Sequence, residues 1–411
     1  MNVYLSPPGL VCCAGQNREE LYRAALAGYR GGFISKASSV PQRPGESRRD
    51  GPALPGQNAS PDGDGFPAGL VFLPAAGHGA AGGGRGKIFR LLDAALEQIR
   101  IYVEAAVEQY GPERIGVCLG SCDNGSEASL DAHRIFIQTG KFPSDYSLRF
   151  QGAALPAEYT AGKFGLSGPV LTTATACASG ASAIVRAAEL IRSGICGAVV
   201  AGGVDIVSDT VFLGFRSLEA LSPGLANPFS KNRDGINLGE GAAFFLLNSE
   251  DFGIELLGAG ESADGYHMTA PGKDGAGAAA AMKKALFNAE LTPEAIGYVN
   301  LHGTGTALND IAEAIAMKTV FGENIPPASS TKPVTGHTLG AAGAIEAALC
   351  WMTLNGGGIP VHCWDGERDG DMPVIPLAVP GERLRPGSAC MTNSFAFGGC
   401  NVSLVLGRSS R

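Results

Sequence analysis

Residues 169–201 read PVLTTATACASGASAIVRAAELIRSGICGAVVA. The run divides into an apolar strand (169–175), a turn of small residues around Cys177, a helix (179–192) and a second apolar strand (197–201). Strand, helix and strand in that order form the unit from which layered α/β folds with mostly parallel sheets are built. The pattern extends both ways. Upstream, Leu92, Leu96, Ile99, Val103 and Val107 are spaced for one buried helical face over 87–111, and a strand follows at 114–120. Downstream, strands at 242–248, 254–258, 298–301, 389–392 and 402–406 are interleaved with helices at 278–289, 311–321 and 341–354. The element order of the two halves is loosely similar, without a clear sequence repeat.

The 411 residues are enough for one large core or two fused ones. Hydrophobic residues make up 45% and charged residues 17%, which excludes a disordered chain. A net charge of −8 gives no footprint for nucleic acid. No apolar run approaches the ~20 residues that a membrane span needs. Leu10-Val11-Cys12-Cys13 has the look of a lipoprotein cleavage site, but no basic region precedes it and Pro7-Pro8 interrupts the apolar stretch. The ten cysteines are scattered without zinc-type pairs, which fits a reduced, cytoplasmic setting and no metal centre. Residues 35–86, rich in Gly, Pro, Ser and Asp, read as a long irregular excursion with one short strand at 69–73. Within it, Gly82-Gly83-Gly84-Arg85-Gly86-Lys87 fails as a phosphate loop, because Ala81 and Ile88 stand where glycine and a hydroxyl are needed.

Four segments carry chemistry. Cys177 stands between a strand end and a helix start, where the helix dipole favours thiolate; the plain alternative is a buried cysteine acting as a small apolar residue. His302-Gly303-Thr304-Gly305-Thr306 follows a strand and suits a cleft for a polar tether, with His302 able to move a proton; otherwise it is a turn histidine satisfied by backbone. Lys332-Pro333-Val334-Thr335-Gly336-His337 puts a cation and an imidazole into a segment of low charge, ahead of a small-residue helix carrying Glu346. Glu346 is either the partner of Lys332 or a surface acid. Phe395-Ala396-Phe397-Gly398-Gly399-Cys400-Asn401 offers two aromatics before a double glycine, as a movable wall or as core.

In that order and spacing, with Pro228-Phe229-Ser230-Lys231-Asn232-Arg233-Asp234-Gly235, Gly239-Glu240-Gly241 and Ser262 to Thr269, these motifs resemble the beta-ketoacyl-acyl-carrier-protein synthases of the I/II type. The resemblance runs from about Arg114 to Gly407. It implies a thiolase-like fold of two similar α/β halves stacked in five layers, α-β-α-β-α. The first half, 1–251, would carry the nucleophile, and the second, 252–411, both histidines. It implies decarboxylative condensation of an enzyme-bound acyl group with a malonyl thioester, in fatty-acid or polyketide and polyene elongation. By position, Cys177 accepts the acyl chain and His302 and His337 support decarboxylation. Lys332 supports the pair, and Glu346 is its acidic neighbour. Thr304 and Thr306 meet the phosphopantetheine arm, Phe395 lines the substrate channel, and Phe397 is the gate. No resident cofactor or metal is implied, since 4'-phosphopantetheine arrives on the acyl carrier protein.

Partners implied are that carrier protein and a second chain, as a homodimer or a heterodimer with a homologous ketosynthase-like subunit; neither nucleic acid nor membrane is implied. Arg85, Lys87 and Arg90 form the candidate basic patch for the acidic carrier protein, against a solvated helix end as the alternative. The competing readings are a non-catalytic partner subunit, which an intact Cys177 opposes, and a thiolase, which would need a different glycine motif around its late cysteine. Three departures from the family pattern are an abrupt first strand, the unusual 35–86 stretch, and Cys400 in place of a hydroxyl.

Overall fold

The computed structural model describes residues 1–36, 65–73, 86–123 and 125–409. In chain order its strands are β1 (Tyr4–Leu5), β2 (Gly9–Cys12), β3 (Phe33–Lys36), β4 (Phe66–Gly69), β5 (Ile115–Gly120), β6 (Val170–Thr173), β7 (Ala198–Asp205), β8 (Gly241–Asn248), β9 (Ile254–Ala263), β10 (Ile296–Asn300), β11 (Ala328–Ser329), β12 (Ala389–Phe395) and β13 (Cys400–Arg408). All but β3 and β4 join one sheet in the order β11-β10-β12-β13-β9-β1-β8-β7-β5-β6, with β2 also paired to β8. The two wings follow one plan. In each, three parallel strands (β6-β5-β7 and β11-β10-β12) are continued by an antiparallel one, β8 or β13. Short β1 lies antiparallel between β8 and β9 and makes the sheet continuous.

Apart from β6 and β9, the strands of both wings are buried on both faces, which explains their nearly unbroken apolar runs. Alternate residues point to different layers. Val199 and Ala201 of β7 face the same middle layer as Leu404 and Leu406 of β13. Ala198 and Val200 face an outer layer formed by helices Lys87–Glu97, Arg100–Tyr110 and Leu155–Phe164. Helices Ala276–Asn288 and Ala307–Phe321 cover the other wing. Between the wings lie helices Ser179–Arg192 and Ala342–Gly356, so that helices and sheets alternate in five layers. Among the described residues no helix is long and apolar enough to cross a membrane.

The two central helices meet at their N-terminal ends, where side chains are nearly absent. A Cβ on Gly180 would lie 2.7 Å from the carbonyl oxygen of Gly340, and one on Gly343 would lie 2.8 Å from Cβ of Ala181. A Cβ on Gly203, near the end of β7, would stand 2.6 Å from that same Gly340 oxygen. This contact brings the two halves of the chain together directly beneath the candidate site.

Several elements differ from the expectation. The single helix over 87–111 is two, meeting at Gln98-Ile99, where the Gln98 carboxamide donates to Leu10 O (2.8 Å) and Gln16 O (3.0 Å) and ties the break to β2. The strand expected at 69–73 ends at Gly69, because Val71 N turns to donate to the Glu240 carboxylate at 2.9 Å. The first strand is split into β1 and β2 around Pro7-Pro8, neither of which can donate to a ladder. Helices Arg18–Ala27, Ser126–Thr139, Leu155–Phe164 and Asp209–Ser217 were not anticipated.

Because a Cβ at residue 203 meets backbone, Gly203→Ala is expected to lower the unfolding midpoint by the equivalent of about 1–3 kcal/mol. Gly214→Ala, inside the Asp209–Ser217 helix with nothing within 4 Å, should raise it by about 0.5–1 kcal/mol. Urea denaturation of the two variants checks the contrast.

Candidate active site

Cys177 lies in the short turn Ala176–Ala178, between the end of β6 and the Ser179–Arg192 helix. Ala176 sits at φ 48°, in the left-handed region where a residue with a side chain is strained by about 1–3 kcal/mol. Ser179 holds the turn: its hydroxyl accepts from Thr175 N at 2.9 Å and donates to Ala176 O at 2.6 Å.

His302 follows β10. Its backbone N–H and that of Gly303 donate to the two oxygens of buried Glu313, each at 2.8 Å, so one carboxylate fixes the whole loop. His337 is held through its own backbone, donating to Asn237 O at 2.7 Å and accepting from Gly239 N at 3.0 Å. Its Nε2 lies 3.0 Å from the Cys177 Sγ. The two imidazoles stand nearly perpendicular, with ring centroids 5.4 Å apart. Lys332 Nζ is 3.4 Å from His302 Nδ1 and is ion-paired with Glu346. A lysine ammonium only donates, so this contact leaves the proton of a neutral His302 on Nε2. All five side chains are buried.

Burial sets the protonation of the site. It pushes the Cys177 thiol up to about 12; Lys332 pulls against that rise, and Asp205 and Glu346 add to it. Burial, then Lys332, holds both imidazoles well below the usual histidine range, with His337 adding to the effect on His302. The resting set is therefore a neutral thiol and two neutral imidazoles. The helix start does not produce the resting thiolate that the sequence suggested; desolvation outweighs it. Attack by sulfur requires proton transfer to a base, and His337 Nε2 is in reach. Glu346 is pushed up to about 7 by burial, against the pull of Lys332.

The site forms the floor of a cavity of about 340 Å³, lined among others by Cys177, both histidines, Thr304 and Thr306. The two threonine hydroxyls are hydrogen-bonded to each other at 2.9 Å. Phe395 lies beside His302, ring centroids 6.2 Å apart, and Phe397 stacks on Phe215 across the cavity wall at 5.8 Å. The basic patch fares differently. Arg85 lies outside the described residues, and Lys87 turns inward to an ion pair with buried Glu240, so its charge is spent within the fold. Arg90 is partly buried. Four residues went unnoticed in the sequence: Glu313, Asp310, Asp205 and Phe215. Glu313 and Asp310 are the only acids on the otherwise small and apolar face of the Ala307–Phe321 helix that is turned inward, a signal that could have found them.

Two family models match side by side, described as "Beta-ketoacyl synthase, N-terminal domain" over 90–252 and "Beta-ketoacyl synthase, C-terminal domain" over 254–363. The chain is 36% identical over 326 residues to 3-oxoacyl-acyl-carrier-protein synthase 2 of Vibrio cholerae, covering 74% of this chain and 78% of that protein. It is 32% identical over 314 residues to the protein of the same name from Staphylococcus aureus, covering 71% and 77%. In structure it is similar to a chain of the ketosynthase ApeO in complex with its chain length factor ApeC from Xenorhabdus doucetiae, with a TM-score of 0.87, 35% identity, and coverage of 100% of this chain and 98% of that one. A beta-ketoacyl synthase from Burkholderia phymatum follows at a TM-score of 0.79 and 29% identity, covering 99% of each chain.

Iodoacetamide alkylation of Cys177, taken as the difference between wild type and Cys177→Ala, should climb with pH without a plateau up to about pH 9. A plateau already at neutral pH would show a resting thiolate and overturn this protonation scheme.

Proposed function

The chain belongs to the beta-ketoacyl synthase family and has its thiolase-like fold, and we propose that it condenses an acyl group held on Cys177 with malonyl-acyl carrier protein, releasing carbon dioxide and 3-ketoacyl-acyl carrier protein. The observation that carries this reading is the convergence of Cys177, His337, His302 and Lys332 at the floor of one cavity.

In the first half-reaction the thiol proton passes to His337 Nε2 as sulfur attacks the acyl thioester. The tetrahedral oxyanion collapses, the carbon–sulfur bond to the carrier arm breaks, and the departing thiolate takes the proton back from His337. Backbone N–H groups of Cys177 and Phe397 are the donors assigned to that oxyanion. In the second half-reaction His302 and His337 together support decarboxylation, and the malonyl thioester oxygen is assigned to the Nε2–H of His302. As the bond to the carboxylate breaks and carbon dioxide leaves, the electron pair moves into an enolate that this neutral donor stabilises without surrendering its proton. The enolate carbon then attacks the Cys177 thioester, sulfur leaves as thiolate, and one proton taken up from water restores the resting thiol. Decarboxylation supplies the carbanion, so the scheme needs no resident metal or redox cofactor. Thr304 and Thr306, both in the cavity lining, are assigned to the amides of the phosphopantetheine arm.

The same reading assigns two partners. A second chain of like fold pairs along β6, the last strand of the sheet, whose Val170 and Leu171 are 37% and 39% exposed on an otherwise buried architecture. The likeness to a chain of a ketosynthase and chain length factor complex supports a homologous subunit there, as an alternative to a second copy. Cys177, His302 and His337 are all in place, which disfavours a catalytically silent subunit. The ten cysteines, all free, support a reduced cytoplasmic setting. The acyl carrier protein docks by charge, and Arg85 and Arg90 are the residues proposed to meet it; Lys87 is ion-paired with Glu240.

Carbon dioxide release from malonyl carrier protein is expected to depend on an acyl primer and to be abolished, as condensation, by Cys177→Ala. Failure of wild type to condense any acyl primer, alone or with a co-purified homologue, would overturn the reading. Charge reversal at Arg85 and Arg90 should raise the KM for carrier protein and leave small-thioester turnover alone. Lys87→Glu should instead lower the unfolding midpoint, since stripping the partner from a buried charge costs about 3–5 kcal/mol.

A further inference from the structure

Asn309 lines the same cavity as Cys177 and has no part in the scheme above. It stands in the first turn of the Ala307–Phe321 helix, three residues past Thr306. Thr306 is the N-cap residue of that helix, but its hydroxyl makes no capping bond and turns instead to Thr304. A residue three positions beyond an N-cap lies over the same face, the relation that a capping box uses. Exposure gives the direction of this wall: His302 is 2% exposed, Thr304 7% and Leu308 49%. The threonine pair is therefore the inner point of the wall, and Asn309 stands beyond it, towards the mouth.

The wall is stiff at this place. Asp310, the next residue, is buried and accepts from Gly305 N at 3.2 Å and from Phe229 N at 2.8 Å. Arg233, also in the lining, donates to Ala307 O at 3.1 Å, to Ser230 O at 2.7 Å and to Asp369 at 2.6 Å, so its charge is used within the fold. The Asn309 carboxamide is not used in this way. Among the described residues its side chain makes one long hydrogen bond, Nδ2 to Asp310 Oδ1 at 3.5 Å. It offers the cavity N–H donors and a carbonyl acceptor, the combination that an amide or a hydroxyl can match. Phe215, Leu218, Ile236 and Pro271 of the same lining give methylenes and methyl groups something to pack against.

The carrier arm holds two amides separated by one β-alanine, about 5 Å when extended, one methylene more than the span of an α-residue. Three residues of helix rise about 4.5 Å. With the inner amide at Thr304 and Thr306, the outer amide and the pantoyl hydroxyl beside it come level with Asn309. We propose that Asn309 is a specificity-determining residue that joins the two threonines and holds this outer, pantoyl end of the arm. It thereby selects thioesters carried on the full arm over those that end at the first amide. The inference rests on the reading of Cys177 as acyl acceptor and of Thr304 and Thr306 as arm contacts.

The test compares acyl transfer to Cys177 from acyl-pantetheine and from acyl-N-acetylcysteamine, which stops at the first amide, using acetyl, hexanoyl and decanoyl groups. Second-order rate constants are read by intact-protein mass for wild type, Asn309→Ala and Asn309→Leu. The ratio of the pantetheine constant to the N-acetylcysteamine constant should fall about 3- to 10-fold in both variants, the scale of one hydrogen bond. Both constants come from one preparation, so a variant that folds only in part still reports the ratio. Asn309→Leu keeps the bulk of the side chain and removes its hydrogen bonds, which separates binding from mere filling of the wall. A wild-type ratio in either variant, or a wild type that does not favour pantetheine, would overturn the proposal. A wild type that takes no acyl group from either thioester, alone or with a co-purified homologue, would sink the functional reading, and this inference with it.

Discussion

The site depends on how closely two backbones can approach. Cys177 belongs to the first half of the chain and both histidines to the second, so no part of the constellation exists until the helices Ser179–Arg192 and Ala342–Gly356 touch at their N-terminal ends. Gly180, Gly203, Gly340 and Gly343 make that contact possible, because a methyl group on any of them would fall within 3 Å of a neighbouring atom. Close packing of this kind leaves few intermediate positions: the interior either fits or opens. The reach from imidazole to thiol is thus fixed by packing beneath the site, more than by any bond within it.

The same packing excludes water, and exclusion of water decides the chemistry. Burial disfavours the charged form of every group it covers, so the thiol keeps its proton and the imidazoles stay neutral. Neutral imidazoles are poor at giving up protons but serve well as hydrogen-bond donors to developing charge, the property an enolate requires. The buried acids have a different use. Glu313 holds the His302 loop, Asp310 holds Phe229 N and Gly305 N, Glu240 holds Val71 N and Val207 N, and Asp205 holds two loops at once. Each gathers backbone donors that irregular loops would otherwise leave unsatisfied, at a cost far greater than that of one buried carboxylate with several partners.

Much of this was legible before any coordinates. Strands that are apolar on both faces and helices at regular spacing marked a layered α/β fold, and the small residues around Cys177 marked the place where something must come close. His302, His337 and Lys332 stood out as polar residues in low-charge surroundings. What could not be read was set by contacts far apart in the chain. Lys87 looks like a surface cation from its neighbours, and only the fold brings Glu240 to it. Asp205 ends a strand as acids often do; its four donors come from positions 121–123 and 340. The protonation of Cys177 was misread for a related reason: a helix start is visible in sequence, whereas the depth at which it is buried is not.

The sheet's continuity has a consequence for how the molecule is made. β1 and β2 come well before their partners β8 and β9 in the chain, with Tyr4 set against both Asn248 and Glu255. Trp351, in the second half, also donates to Leu5 O at 3.2 Å. β1 and β2 must therefore wait unpaired until β8 and β9 have been made, and the loop closed when they dock is among the costliest in the fold. Until they dock, β8, a central strand in the finished sheet, has an open edge of apolar residues. The nascent chain is most exposed to mispairing during this interval, and the proline pair between β1 and β2, poor at extending a ladder, sits where it limits that risk.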